Sequence, residues 1–509
     1  EQTARAHQAQ PPSAWLASAA ASKKEGLRVL PGGGLALTPH PPALGSALTH
    51  PHITTDYSES QIELITGAHR SVQASLDELT ATHQFVYRVL QQQQPGGEML
   101  WVSSMPCGLP TDETIPLARY GASNVGRAKS VYRMGLGHRY GRRMQTISGV
   151  HYNWSLPGVT SEEYFALIRN FRRQAFVLLY LFGASPALCP CFVAGREHAL
   201  QPLGTGQHAL YLPHATSLRM GRLGYQSDAQ ATLAVSYNGL EGYARSLYEA
   251  LTRPYPAYEA VGVLNPGGEY SQLGTSLLQI ENEFYGTIRP KRTVRSGERP
   301  LDALHERGVG TWRCVSWTST LSLPSASPRR RCACSTFSCC TACCRTALWT
   351  RRRRLPSSSA TSTWPPSAAA SLGCACSRGR EHCPGRLGGR GAGRMRAPGR
   401  RAGQGPGRRR HAAALEQARA LVAAPEQTPS ARVLAELQGR HADSFTAFAL
   451  HRAEVARDDL LALPWSDAQQ RRFATLAEQS LADQKAIEAA DSLPFEAWRQ
   501  QYMAIRPLA

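Results

Sequence analysis

The sequence predicts an α+β fold, and three observations carry that expectation. Short apolar segments bounded by turn residues recur in the first third of the chain. One long stretch, Ser161–Phe182, has clear helical spacing. The C-terminal hundred residues or so are a succession of helical patterns.

Taken in order, Leu27-Arg28-Val29-Leu30 followed by Pro31-Gly32-Gly33-Gly34 reads as a strand entering a turn. Ile53-Thr54-Thr55-Asp56-Tyr57 and Ile62-Glu63-Leu64-Ile65-Thr66 read as two further strands. Tyr164, Ile168, Phe171, Phe176 and Leu179 share one broad face of the expected helix. Leu277–Tyr285 alternates apolar and polar residues, as a half-buried strand does. Ala413–Ala424, Ser430–Gln438, Ala442–Leu460 and Asp467–Ala490 predict helices, and Pro494-Phe495-Glu496-Ala497-Trp498 a short docking helix.

The chain has 509 residues, 42% of them hydrophobic, which is enough for a large core. Its 57 lysines and arginines against 37 acids give a net charge of +20. Such a balance ordinarily points to a polyanionic partner. Here the excess is local. Residues 311–410 hold 20 arginines and one acid, Glu381, and ten of the 13 cysteines. The rest is nearly neutral and cysteine-poor, as in a cytoplasmic enzyme. The arginine block lacks a scaffold and, apart from its Trp residues and one Phe, interleaved aromatics, so no nucleic-acid partner is expected. Its cysteine spacing is too irregular for zinc. Segments are therefore expected at 1–22, 23–310, 311–410 and 411–509. The first, rich in Ala and Gln, and the third are expected to be disordered or misread. No apolar run reaches the length of about 18 residues that marks a membrane span, and Glu1–Ala21 does not read as a secretory signal. The chain does not begin with Met, so its true start is expected upstream.

Hard ligands sit beside strand residues at Glu25, Asp56, Glu63 and His151. Carboxylates that share a pocket repel one another unless a cation neutralises them. Oxygen-rich sets with one imidazole suit Mg²⁺ or Mn²⁺. Arg219, Arg289, Lys291, Arg292 and Arg295 supply cations of the kind that hold carboxylates and phosphates. For Arg292 and Arg295 a solvated charge run is an equal reading.

Several ordered blocks resemble one family. They include His40-Pro41-Pro42-Ala43-Leu44-Gly45-Ser46-Ala47-Leu48-Thr49-His50, Ile53-Thr54-Thr55-Asp56-Tyr57 and Ser104-Met105-Pro106-Cys107. Further blocks are Arg119-Tyr120-Gly121-Ala122-Ser123-Asn124-Val125-Gly126-Arg127, Met144-Gln145-Thr146-Ile147-Ser148-Gly149-Val150-His151-Tyr152-Asn153 and Tyr180-Leu181-Phe182-Gly183-Ala184-Ser185-Pro186. Thr216-Ser217-Leu218-Arg219 and Ile288-Arg289-Pro290-Lys291-Arg292 complete the set. Together they resemble the proteobacterial type of glutamate–cysteine ligase, or γ-glutamylcysteine synthetase, across 25–309 and again across 411–509. The resemblance implies a curved, mostly antiparallel sheet like that of glutamine synthetase, with helices outside. Residues 23–310 would form the catalytic core and 411–509 the helical C-terminal part of the same domain.

The implied reaction is the first step of glutathione biosynthesis. ATP phosphorylates the γ-carboxylate of L-glutamate, and the amine of L-cysteine displaces phosphate. By resemblance, Glu25, Asp56, Glu63 and His151 belong to a metal cluster, and Arg219 and Arg292 are catalytic. Arg219 also grips glutamate, while Tyr57, Tyr132, Arg133 and Tyr225 line the cysteine pocket. Arg289, Lys291, Arg292 and Arg295 face ATP. A cytoplasmic monomer with no membrane partner is implied.

The sequence departs from the family twice. Lys23-Lys24-Glu25 stands where the family has acid, any residue, acid, so Lys23 replaces a carboxylate. Past Gly310 the family continues with Tyr-Val-Glu-Val-Arg, then Asp-x-Asn-Pro-Phe. This chain reads Thr311-Trp312-Arg313-Cys314-Val315 instead. Permissible codons for Thr311–Pro324, read one base earlier, yield the family strand, and the fixed codons of Trp312 and Trp317 agree with it. Residues 311 to about 410 are therefore expected to be a frameshifted reading that leaves a gap in the sheet. An extra base before the second lysine codon gives Lys23 in the same way. An alternative follows for the chain as written: a catalytically impaired remnant that binds glutamate or nucleotide without turnover. A third reading is a ligase that joins glutamate to another amine.

Overall fold

Alternation of side chains along antiparallel strands assembles one apolar face and one charged face. The computed structural model describes residues 18–93, 96–221, 223–224, 228–295, 297–317 and 406–506. Strand β1 (Ala19–Val29) is central. Strands β2 (Ile53–Thr55) and β3 (Gln61–Ile65) form an antiparallel pair on one side of it. The short β4 (Met99–Leu100) pairs with the end of β1. On the other side lie β5 (Val150–Ser155), then β7 (Thr311–Trp317), with β6 (Ile288–Lys291) at the edge. The order is β2-β3-β1-β5-β7-β6, and every pairing is antiparallel.

Residues opposite each other on neighbouring strands share a face, as do residues two apart on one strand. Glu25 is opposite Glu63, Lys23 opposite His151, and Arg313 opposite both Asn153 and Arg289. Register alone thus places these charged groups on one side. The other side presents Tyr152, Trp154, Trp312 and Cys314, each at most 2% exposed.

Helices pack around the sheet. Helix α1 (Val72–Leu90) and helix α2 (Asn124–Tyr140) are capped by Ser71 and Ser123. Helix α3 (Ser161–Phe182) begins with a capping box formed by Thr160 and Glu163. With α4 (Leu240–Thr252), it packs Phe165, Phe171, Tyr243 and Leu247 into a core shared with Trp154 and Trp312. The C-terminal part is helical: α5 (Pro406–Ala423), α6 (Pro429–Arg440), α7 (Phe445–Leu461), α8 (Asp467–Ala490) and α9 (Phe495–Met503). Ser46 joins α8 through Ser480 and Gln484, tying this part to the start of the chain.

The α+β expectation is borne out, and the helix over Ser161–Phe182 has the expected bounds. Of its expected face, Tyr164, Ile168 and Phe171 are buried, while Phe176 and Leu179 are half-buried. Three expectations are corrected. The boundary at residue 23 falls inside β1, which begins at Ala19. The gap expected from residue 311 is filled at Thr311–Trp317 by β7, an interior strand. Its Trp312 and Cys314 alternate with Thr311 and Arg313, so the segment keeps a strand's two-residue period. Leu277–Tyr285 is not a strand but irregular chain around a short 3₁₀ turn, Glu281–Glu283. Its alternation reflects buried polar side chains: Gln279, Glu281 and Glu283 are all buried and bonded. Residues 1–17 and 318–405, where the remaining disorder and frameshift expectations fall, lie outside the described residues. Among the described residues no helix is long and apolar enough to cross a membrane.

Candidate active site

The charged face of the sheet converges on Glu25. Its main-chain N–H donates to Gly149 O at 3.0 Å, and its Oε2 accepts from Gly149 N–H at 2.8 Å. Its Oε1 lies 3.4 Å from His151 Nε2. Ligand atoms of Glu25, Glu63 and His151 all lie within 4.8 Å of one another. Burial, with Asp56 beside it, pushes the Glu25 carboxyl up to about 8. Asp56 is raised by burial and by Glu63. His151 is held well below its usual range by burial and by Arg313, Arg219, Lys23 and Arg289, so its ring is neutral. A neutral imidazole beside carboxylates is a metal-ligand set waiting for charge compensation.

Fixed cations surround the set. Lys23 forms an ion pair with Glu63. Arg133, on α2, donates from Nε to Asp56 O and lies 4.5 Å over the Tyr120 ring. Arg219 is 1% exposed in a 3₁₀ turn, Leu218–Met220. A side chain at position 149 would collide with its guanidinium, so Gly149 lets Arg219 lie against the chain beside Glu25. Arg313 donates to Asn153 Oδ1 at 2.9 Å and acts electrostatically on Glu25, Glu63 and Asp56.

Three of the four expected metal ligands thus meet, and Asp56 stands beside them as an electrostatic neighbour. Tyr57 is 2% exposed, next to Asp56, and Tyr132 is half-buried near Arg133. Arg289 and Lys291 lie on β6 beside Arg313. Burial and the Arg313 and Arg289 guanidiniums depress Lys291 well below its usual range. Arg292 is half-buried against Gly310, off the cluster. Arg295 is exposed, and its N–H bonds Glu298 at 2.7 Å rather than the cluster. Tyr225 lies outside the described residues. Two cluster neighbours escaped the sequence reading. Arg313 was hidden in the arginine block, where β-alternation was the available signal. Lys129, pushed down to about 8 by burial and by Arg133, lies 4.8 Å over the Tyr120 ring, and no motif marks it.

Comparison with known proteins decides the family. The family model described as glutamate-cysteine ligase matches residues 7–312, more than half of the chain. The chain belongs to the glutamate–cysteine ligase family. A glutamate–cysteine ligase of Alcanivorax borkumensis is 40% identical over 94% of each chain. One from Azotobacter vinelandii is 42% identical over 95% of this chain and 93% of its own. The crystal structure of a Francisella tularensis glutamate–cysteine ligase in complex with AMP superposes with a TM-score of 0.83 at 27% identity. That match covers 96% of this ligase and 97% of the Francisella chain. The family-model match ends one residue before Arg313. The ligase is therefore an ATP-dependent enzyme of the glutamine-synthetase-like fold.

Proposed function

We propose that this ligase couples the γ-carboxylate of L-glutamate to the amine of L-cysteine, with ATP giving ADP and phosphate, on the charged face of the sheet. One observation carries the reading: Glu25, Glu63 and His151 converge on that face within 4.8 Å of one another. Their chemistry, two carboxylates and a neutral imidazole, fits a divalent cation, Mg²⁺ or Mn²⁺. A bound cation would offset the phosphate charge that builds during phosphoryl transfer.

The chain's own groups divide the remaining work. Arg219, held against Gly149, pairs with a carboxylate of glutamate. Arg289 and Lys291 on β6 face the phosphates, with Arg292 assigned there by resemblance. Tyr57, Tyr132 and Arg133 line the cysteine pocket, with Tyr225 assigned there by resemblance. The exposed Arg295 is left without a role. Lys23 and Arg313 stand where the family carries acids. Both act on the carboxylates that would bind a cation. They weaken divalent-cation binding rather than replace it, since Glu25 still has His151 beside it. We further propose a cytoplasmic monomer, to be checked by sedimentation and fractionation.

Phosphate release tests the reading. It is expected only with ATP, L-glutamate, L-cysteine and a divalent cation together, with γ-glutamylcysteine as product. Release with another amine in place of cysteine, and none with cysteine, would identify a different acceptor. No release with any amine, but retained nucleotide binding, would identify the impaired form.

A further inference from the structure

Away from the sheet face, three cysteine sulfurs meet. Cys107 follows β4, while Cys189 and Cys191 flank Pro190 at the start of a 3₁₀ turn, Pro190–Val193. Their sulfur atoms all lie within 4.8 Å of one another. Cys107 is 2% exposed, and Cys189 and Cys191 are half-buried. All three are free thiols. Cys107 Sγ lies 2.8 Å from Thr446 Oγ1, near the N-terminus of α7. The cluster therefore joins three segments distant in sequence.

Its surroundings favour a thiolate. Hydrogen bonds from the Cys107 and Cys189 thiols, together with the main-chain N–H groups of Leu109 and Gly108, pull Cys191 down to about 3. Hydrogen bonding to the other two sulfurs, with burial, pushes Cys107 up instead. The set holds three sulfurs and no carboxylate. Hard cations prefer oxygen, whereas thiolate sets select soft or borderline ions. Simple packing of small side chains would bring thiols together as well, but here three unbridged sulfurs from distant segments converge on one point with every ligand atom available.

We propose that Cys107, Cys189 and Cys191 form a binding site for one thiophilic divalent cation of the zinc class, separate from the catalytic cluster. Binding forms three metal–sulfur bonds and releases the remaining thiol protons to solvent. Water reaching the half-buried side supplies a fourth ligand. The ion staples the loop after β4, the Pro190 turn and the start of α7, so it raises the melting temperature.

The test uses the reduced full-length chain, alkylated with iodoacetamide with and without Zn²⁺, and mapped by peptide mass. Zn²⁺ is expected to slow alkylation of Cys189 and Cys191 at least tenfold. Equal rates with and without Zn²⁺ would overturn the site, even if every variant failed to fold. A Cd²⁺ titration then compares the parent with Cys191→Ser and Cys189→Ser. Each variant is expected to lose one equivalent and the Cd²⁺-dependent rise in melting temperature. The ten cysteines from Cys314 to Cys383 are common to all three proteins, so the difference isolates the triad. Unchanged equivalents in both variants would overturn the proposal.

Discussion

Two buried carboxylates, Glu283 and Glu25, show how differently one fold treats the same group. Glu283 accepts from Arg139 at 2.9 Å, from Tyr140 at 2.7 Å and from the Gln279 N–H at 2.6 Å. Arg139 is itself saturated by Gln272 and Gly274 and stacks 4.0 Å over Tyr258. Glu25 has one main-chain donor and a neutral imidazole, and it faces Asp56 and Glu63, with Arg219 beside it as a partial counter-charge. The first arrangement is complete and holds structure together. The second is electrostatically unfinished, which is how a site prepared for an external cation differs from a structural ion pair.

Exchanging the two carboxylates for amides breaks the comparison most sharply. Glu283→Gln leaves the Arg139 charge buried and unpaired, and is expected to cost about 3–5 kcal/mol in denaturant unfolding. Glu25→Gln replaces a carboxyl that, pushed up to about 8, is already largely protonated at neutral pH without a cation. Its metal-free stability should be unchanged or higher, while cysteine-dependent phosphate release falls roughly 10²-fold or more. Stability loss at Glu25, or activity loss without stability loss at Glu283, would reverse the distinction.

The interior strand β7 gives the next largest effect. Trp312 is fully buried among Tyr152, Trp154 and Phe171. Trp312→Ala should destabilise by about 3–5 kcal/mol through the cavity it leaves. A loss below about 1 kcal/mol would mean that residues 311–317 do not belong to the core.

Fixed cations sharpen the contrast further. Lys23→Gln frees Glu63 of its ion pair. The Mg²⁺ concentration for half-maximal activity is expected to fall about tenfold, the equivalent of about 1.4 kcal/mol. No change would show that Lys23 does not compete with the metal.

The smallest effect concerns pH and lies outside both carboxylate sites. Burial and the Arg28 guanidinium lower His40 from 6.5 to about 4. Between those values the unfolded chain binds the proton and the folded chain does not. Folded stability therefore declines as pH falls from 6.5 towards 4, then levels off. His40→Leu should flatten that part of the curve by about 1–2 kcal/mol, as followed by urea midpoints.

How much could be read from the chain alone depended on whether function and local pattern coincided. The α3 helix was legible because its burial follows its own period. Glu25, Glu63 and His151 were legible because they lie on or beside apolar strands, His151 within a family block as well. Leu277–Tyr285 misled because Glu281 and Glu283 are bonded inside the protein, to Arg299 and Arg139, so alternation there did not report a solvent face. Arg313 was masked by the composition of the residues that follow it, although Thr311–Cys314 alone alternates as a strand. The cysteine cluster joins residues that no local window contains. An intact reading frame on resequencing codons 20–25 and 305–415 would confirm Lys23 and Arg313 as encoded, and a shifted frame would return acids to both positions.

The direct test is a Mn²⁺ titration by electron paramagnetic resonance on the metal-free ligase, its Glu25→Gln form and its Glu63→Gln form. The account predicts a Mn²⁺ site in the parent that weakens at least tenfold in each variant, while both variants melt as the parent does. Equal Mn²⁺ binding in all three folded proteins would mean that the carboxylates of β1 and β3 do not hold the cation, and the assignment of this sheet face as the catalytic centre would be wrong.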